Sequence, residues 1–249
     1  MRCFLFLAIC LGFSFSVFSQ SDQLARNFFD QGEYEKALQI YQKLYEKNPA
    51  NMTFFEGMVG ALQQLEEFDQ AEKLLFQRLN NSANNPSILI ELGHNFELQN
   101  NAERAKQFYE EALKSLAGRP NYAYSIARSF ERYNLLDYAA SAYEQAMEMN
   151  TDKNYNLQLA RIYGEQGKIE KMFSNYLDLI EDDMKFYSIA NREFNRYISE
   201  DASSEGNTIF RKLLLKRSQE NPSLLYNEML SWLFIQQKDF GKAFAQERA

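Results

Sequence analysis

The sequence predicts an all-α protein, a right-handed superhelical solenoid built from helix-turn-helix repeats. Apolar residues recur at helical spacing from residue 20 onward. Residue types also repeat along the chain with a period near 34. Only 10 glycines and 4 prolines occur in 249 residues, which disfavours a fold of many short strands joined by turns. These three observations together lead to the fold class.

The composition limits the class of function. One histidine and two cysteines are too few for the sets of ligands that hold most catalytic metal ions. The formal net charge is −7, which disfavours a nucleic-acid partner because phosphates are also negative. No glycine-rich phosphate loop occurs. We therefore interpret the chain as non-enzymatic, and expect no catalytic residue, cofactor, metal ion or small-molecule substrate.

Residues 1–19 are typical of a cleaved signal peptide. Arg2 supplies a positive charge, and an uncharged, mostly apolar run follows it. Val17 and Ser19 fit the −3 and −1 positions of a cut before Gln20. The apolar run is nearly long enough to cross a bilayer core, so an uncleaved membrane anchor is the alternative.

Cleavage of this segment predicts an exported protein without disulfide bonds. Cys3 and Cys10 both lie in the part that is removed, so the mature chain would contain no cysteine. Lipid attachment at Cys10 is disfavoured because Ile9 is too large for the preceding position. We expect such a chain in the periplasm or cell envelope of a diderm bacterium.

Small and bulky residues at fixed spacing carry the repeat. In the predicted second helices, small residues lie 34 residues apart, at Ala37, Ala71, Ala105 and Ala139. A bulky residue follows each by four positions, at Tyr41, Leu75, Tyr109 and Tyr143. In the fifth repeat Met172 and Tyr176 hold these places, and the larger Met172 predicts a looser helix contact. The predicted first helices carry small residues at Ala25, Val59, Gly93, Ala127 and Ala160, which would let the two helices approach closely.

These residues resemble the tetratricopeptide repeat family. The segment DQGEYEKA of residues 30–37, followed by Tyr41 and Pro49, is close to the family pattern. The resemblance covers residues 20–184 as five repeats and residues 223–249 as a further, truncated repeat. It implies a scaffold that binds a protein or peptide. Because the last repeat stops within its second helix, we expect the chain to be a fragment of a longer protein.

Residues 185–222, between these two parts, keep the helical period but lose the family pattern. Apolar residues predict one amphipathic helix with Phe186, Ile189, Phe194 and Tyr197, and a second with Ile209, Leu213 and Leu214. We interpret the segment as a divergent helical hairpin that continues the stack. A linker between domains is the alternative.

The resemblance implies that the first helices line a concave groove, including the position just after each small residue. That position is occupied by Arg26, Gly60, His94, Arg128 and Arg161. In the last repeat it is Trp232, which favours packing or an apolar contact over carboxylate binding. Phe29 and Tyr124 would offer flat apolar contacts beside the charges. Arginine can bind a carboxylate through two hydrogen bonds, so this row of mostly basic residues predicts an acidic partner. The alternative is that Arg128 pairs with Glu131 and the other cations with their own neighbouring acids.

The sequence thus predicts a protein–protein interaction scaffold of the cell envelope, with a partner peptide or protein in its concave groove. The alternative is that the repeats form the extracytoplasmic sensor region of a longer membrane signalling protein. A downstream run of about 18 or more apolar residues would favour the sensor. We expect membrane contact only through an uncleaved signal segment or through a region beyond Ala249.

Overall fold

The computed structural model describes residues 20–81 and 85–248. The predicted signal peptide at residues 1–19 lies outside this part of the chain. Within the described ranges all regular structure is helical, with fourteen α-helices, two short 3₁₀ helices and no strand. The prediction of an all-α fold made of helix-turn-helix repeats is confirmed.

The chain divides into two compact units, one through Ser115 and one from Leu116. The first unit contains α1 (residues 20–30), α2 (Tyr34–Lys47), α3 (Met52–Gln64), α4 (Phe68–Asn81), α5 (Pro86–Leu98) and α6 (Ala102–Lys114). The second unit contains α7 (Ala123–Arg132), α8 (Leu136–Met149), α9 (Asn156–Glu165), α10 (Ile169–Asp182), α11 (Tyr187–Phe194), α12 (Glu205–Glu220), α13 (Leu224–Gln236) and α14 (Phe240–Glu247). Short 3₁₀ helices, Pro120–Tyr122 and Met184–Phe186, precede α7 and α11.

One backbone feature recurs with the repeat. Every first helix except α11 is followed by a left-handed residue in the turn to the second helix, at Gly32, Glu66, Asn100, Asn134, Gly167 and Lys238. The φ angles of these six residues lie between 55° and 77°. Glycine and asparagine adopt this conformation readily, whereas glutamate and lysine do so at some cost. The turn therefore keeps its place even where the residue type is unfavourable.

The predicted small positions are where helices meet most closely. Ala25, Ala37 and Ala139 are fully buried. A Cβ atom added to Gly93 of α5 would overlap the ring of Tyr109 in α6, and one added to Gly57 of α3 would overlap the ring of Tyr41 in α2. Tyrosine rings thus fill the space that a missing side chain leaves, both within a repeat and between successive repeats.

In the fifth repeat, a glycine on the first helix makes room for the large Met172 on the second helix. Met172 of α10 is buried, and a Cβ atom on Gly164 of α9 would lie 3.1 Å from its sulfur. The methionine therefore occupies room that Gly164 provides. The looser helix contact expected from Met172 is not observed.

The divergent segment packs through aromatic rings. Phe210 of α12 is fully buried, with its ring centroid 4.7 Å from that of Phe194 in α11 and 4.9 Å from that of Phe173 in α10. Trp232 of α13 is half-buried and meets the ring of Phe210 edge-on at 6.2 Å. These rings join four successive helices of the second unit in one apolar cluster.

A partly buried ion-pair network lies beside this cluster. The Arg217 side chain on α12 is only 14% exposed and donates hydrogen bonds to Ser174 Oγ and the Ser174 carbonyl oxygen on α10. The same guanidinium lies 2.6 Å from an Asp178 carboxylate oxygen and 2.8 Å from one of Glu181. These hydrogen bonds and ion pairs connect α12 to α10.

Candidate protein-interaction surface

In the first unit the predicted groove cations already have acidic neighbours. The exposed Arg26 on α1 lies 3.1 Å from Asp22, one helical turn before it. His94 Nδ1 on α5 lies 3.9 Å from Glu97, which also accepts a hydrogen bond from the Tyr109 hydroxyl. These contacts are the neighbouring-acid pairs that the sequence left open as an alternative.

Phe29 is part of the packing in the first unit. Its side chain is half-buried, and its ring lies 3.6 Å from the place where Gly60 of α3 would carry a Cβ atom. The same ring meets Tyr34 edge-on at a centroid distance of 5.2 Å. Gly60, the gap in the row of cations, therefore provides the space that this aromatic ring fills.

In the second unit Arg128 also has an acidic partner. Its guanidinium donates a hydrogen bond of 3.2 Å to Glu131 on the same helix, α7. Both residues line an open cavity of about 580 Å³ that Arg132 and Glu165 of α9 also line. Tyr124 on α7 is 52% exposed, so its ring is available for contact with a partner.

Arg161 differs from the other predicted cations. Within the described part of the chain, no carboxylate lies within ion-pair distance of its guanidinium. It lines a cleft of about 420 Å³ between α9, α10 and α11. The charged residues of this cleft are Arg161, Arg192, Arg196, Glu165 and Glu193, and its less polar wall includes Leu157, Met172, Tyr176 and Ile189.

The charges of this cleft are only partly balanced. Glu193, with a side chain 19% exposed, accepts a 2.8 Å hydrogen bond from Arg196 and lies 3.5 Å from Arg192. This hydrogen bond raises the pKa of Arg196, so the guanidinium stays charged. Three arginines against two glutamates leave the cleft with a net positive charge, whereas the chain as a whole is acidic.

A tyrosine hydroxyl accompanies each cation of the row. Tyr41, Tyr109, Tyr143 and Tyr176 follow Arg26, His94, Arg128 and Arg161 by 15 residues each. Where Gly60 replaces the cation, Leu75 replaces the tyrosine, again 15 residues later. The charges of Arg26, Arg128 and Arg161 act on the titration of Tyr41, Tyr143 and Tyr176 respectively. In the four repeats that carry a basic residue type at this position, a tyrosine therefore follows it at the same spacing.

The phenols of Tyr143 and Tyr176 have a raised pKa. Burial raises the pKa of Tyr176 to about 12, with nearby Glu193 adding to the effect and Arg161 opposing it. Burial likewise raises the pKa of Tyr143, and Glu131 adds to this. The buried Tyr143 hydroxyl has no hydrogen-bond partner among the described residues. Both hydroxyls are therefore hydrogen-bond donors at neutral pH.

Sequence reasoning missed Arg192 and Arg196. They lie on α11 and in the turn after it, within the segment that loses the repeat pattern, so no register assigned them to the groove. Their spacing of four residues, on the helix predicted from Phe194 and its apolar neighbours, was the available signal.

Neither a metal-binding cluster nor a helix that could span a membrane occurs within the described ranges. No group of three or more histidine, cysteine or acidic side chains there could hold a metal ion. No helix in those ranges is both long enough and apolar enough to cross a membrane.

Comparison with known proteins supports the repeat assignment. Models of the tetratricopeptide repeat match residues 28–88 and residues 86–115. No curated protein matches the sequence.

Solved structures with a similar fold include PilF of Pseudomonas aeruginosa, at 15% identity and a TM-score of 0.37, covering 93% of this chain and 98% of that one. Another is the carboxy-terminal part of a TPR repeat-containing protein from Cytophaga hutchinsonii, at 15% identity, a TM-score of 0.36, and coverage of 91% and 93%. The type III secretion translocator chaperone SycD of Yersinia enterocolitica has 18% identity, a TM-score of 0.39, and coverage of 54% and 94%. Residues 28–115 of this chain are therefore matched by sequence to tetratricopeptide repeats.

Proposed function

We propose that this chain is a non-enzymatic scaffold of the bacterial cell envelope that binds an acidic segment of a partner protein. The partner lies along the first helices of the second unit, α7, α9 and α11. Stacked helical hairpins expose long surfaces of this kind, and their usual role is binding rather than catalysis.

The observation that supports an acidic partner is the concentration of arginine on these helices. Arg128, Arg161 and Arg192 are exposed and come from three successive first helices of the second unit. A guanidinium binds a carboxylate through two parallel hydrogen bonds, which gives direction as well as attraction. The two cavities that these residues line hold five arginines, including Arg132 and Arg196, against the three glutamates Glu131, Glu165 and Glu193. A partner carboxylate can therefore compete for the arginine donors.

Site-specific crosslinking tests the binding surface. We expect a photoreactive benzoylphenylalanine in place of Tyr124 to crosslink one partner protein in cells. The same group in place of the exposed Met149, on the second helix of that repeat, is the control and should not crosslink it. The yield should fall as salt is added, because exposed charges are screened beyond about 8–10 Å at physiological ionic strength. Equal crosslinking at both positions, or no salt dependence, would contradict the proposal.

The envelope location has its own test. If residues 1–19 are a signal peptide, the intact mass of the protein recovered from the envelope fraction corresponds to a chain that begins at Gln20. A partial loss of ammonia through cyclisation of Gln20 is compatible with this result. Recovery of the uncut chain from the cytoplasmic fraction would show that the segment does not direct export.

A further inference from the structure

We infer that the cleft between α9, α10 and α11 binds one acidic side chain of the partner, with Arg161 as the anchoring residue. This inference rests on the proposed function and adds the chemistry of the contact. The partner residue is an aspartate or glutamate within its chain, flanked by an apolar residue.

The first step concerns the N–H donors of the Arg161 guanidinium, which no ion pair occupies among the described residues. Arg26 and Arg128 each lie within ion-pair distance of an acid on their own helix, and Arg192 and Arg196 share Glu193. No such pair is formed by Arg161 within residues 20–81 and 85–248. Glu165 is four residues away on α9, yet its carboxylate also borders the neighbouring cavity that Arg128 lines. A carboxylate that enters the cleft therefore meets a guanidinium that has no competing ion pair.

The second step is a second donor in the same cleft. Tyr176 is almost fully buried and lines the cleft, and among the described residues no group forms a hydrogen bond with its hydroxyl. A ligand oxygen that enters the cleft can accept a hydrogen bond from this hydroxyl. The phenol stays protonated at neutral pH, so it can donate to a carboxylate that Arg161 holds.

The third step concerns the neighbours of the bound carboxylate. Leu157, Met172 and Ile189 provide an apolar wall, and a volume of about 420 Å³ exceeds what one carboxylate fills. An apolar side chain next to the acid would cover this wall. Glu165 and Glu193 border the same cleft and would repel further acids, so the cleft favours an isolated acid over an acidic run.

Matched peptides test the inference on the mature chain. The probes are the acetylated and amidated peptide GSLELSG, its counterpart GSLQLSG, and the glutamine peptide with a free carboxyl terminus. Titrations are followed by the backbone amide signals of α9 and α11. We expect saturable shifts with the glutamate peptide, and binding weaker by about tenfold with either glutamine peptide, since one charge-assisted contact is lost.

Variants of the protein locate the contact. Arg161→Gln should weaken binding of the glutamate peptide by about tenfold, and Tyr176→Phe should weaken it several-fold, because each removes donors. Arg104→Gln, which removes an exposed arginine on α6 of the first unit, outside the proposed binding surface, is the matched control and should change the affinity by less than about twofold. An unchanged melting temperature of Arg161→Gln would show that the fold is intact. Arg161→Lys keeps the charge but loses the paired N–H donors of the planar guanidinium, so it should bind the glutamate peptide with intermediate affinity.

Several outcomes would overturn the inference. These are equal binding of the glutamate and glutamine peptides, absence of any saturable shift, or equal weakening by Arg161→Gln and Arg104→Gln. Preference for the free carboxyl terminus would show that the ligand is a chain end and not a side chain. If the partner still crosslinks at position 124 with undiminished yield in the Arg161→Gln variant, the proposed scaffold function is supported. The same result contradicts the inference that the cleft around Arg161 binds the partner.

Discussion

Replacing Phe210 by alanine should lower the free energy of unfolding of the second unit by about 3–5 kcal/mol. Phe210 is fully buried, and its ring contacts rings from three other helices, through Phe173, Phe194 and Trp232. Alanine would remove this apolar area and leave a cavity that rigid aromatic neighbours cannot fill. Denaturant unfolding followed by far-ultraviolet circular dichroism measures the change.

Phe244→Ala is the matched control for this prediction. Phe244 on α14 is 63% exposed, so replacing it by alanine leaves no cavity inside the protein. The substitution should alter the free energy of unfolding by less than about 0.5 kcal/mol. Helical repeats can unfold in steps, so hydrogen exchange of the α10 and α12 amides should accompany the denaturant curve. If both alanine variants lose equal stability, the aromatic cluster is not the core of this unit.

The repeat positions could be predicted from the sequence because one unit of structure recurs. Ala71, Ala105 and Ala139 were assigned to close helix contacts from their 34-residue spacing, and all three are buried. The turn residues follow the same spacing, and the glycines and asparagines among them favour a left-handed conformation by their type. Glu66 and Lys238 do not favour it, so tertiary packing imposes the conformation on them.

The divergent segment shows where pattern reading fails. The sequence placed Ile209, Leu213 and Leu214 on the apolar face of the second helix, whereas the structure buries Phe210 and Leu214. Ile209 and Leu213 are half-buried, so the register is rotated by about one residue. Without a repeating neighbour to fix the register, apolar residues on adjacent faces of a helix are equivalent candidates.

The groove illustrates a second limit. Arg128 has Glu131 three residues away, and Arg161 has Glu165 four residues away, so spacing alone predicts an ion pair for both. Only the first pair forms. Whether Arg161 pairs with Glu165 depends on the direction of the two side chains and on the neighbouring helices. Residue spacing does not reveal either of these.

Replacing Asn207 by alanine should destabilise the second unit by about 2–3 kcal/mol, by loss of hydrogen bonds to the backbone of the preceding loop. Asn207 is fully buried at the start of α12, and its amide donates to the carbonyl oxygens of Ser199 and Asp201, each at 2.7 Å. Its side-chain oxygen accepts from the Ser199 amide at 3.2 Å. One side chain thus holds the turn that brings α12 against α11, where Gly206 has no room for a Cβ atom because the Tyr197 carbonyl oxygen occupies that place.

Asn195→Ala separates this role from a general effect of removing an asparagine. Asn195 is exposed, and its amide donates only to the Asn191 carbonyl one turn earlier, so its loss should cost less than about 0.5 kcal/mol. Asn207→Ala should also speed exchange of the Ser199 amide by about tenfold or more, because that amide loses its acceptor. Faster exchange at Ser199 without a change in the unfolding free energy would mean that the loop is held by Asn207 but contributes nothing to the stability of α12. Unchanged exchange would show that another group holds the turn.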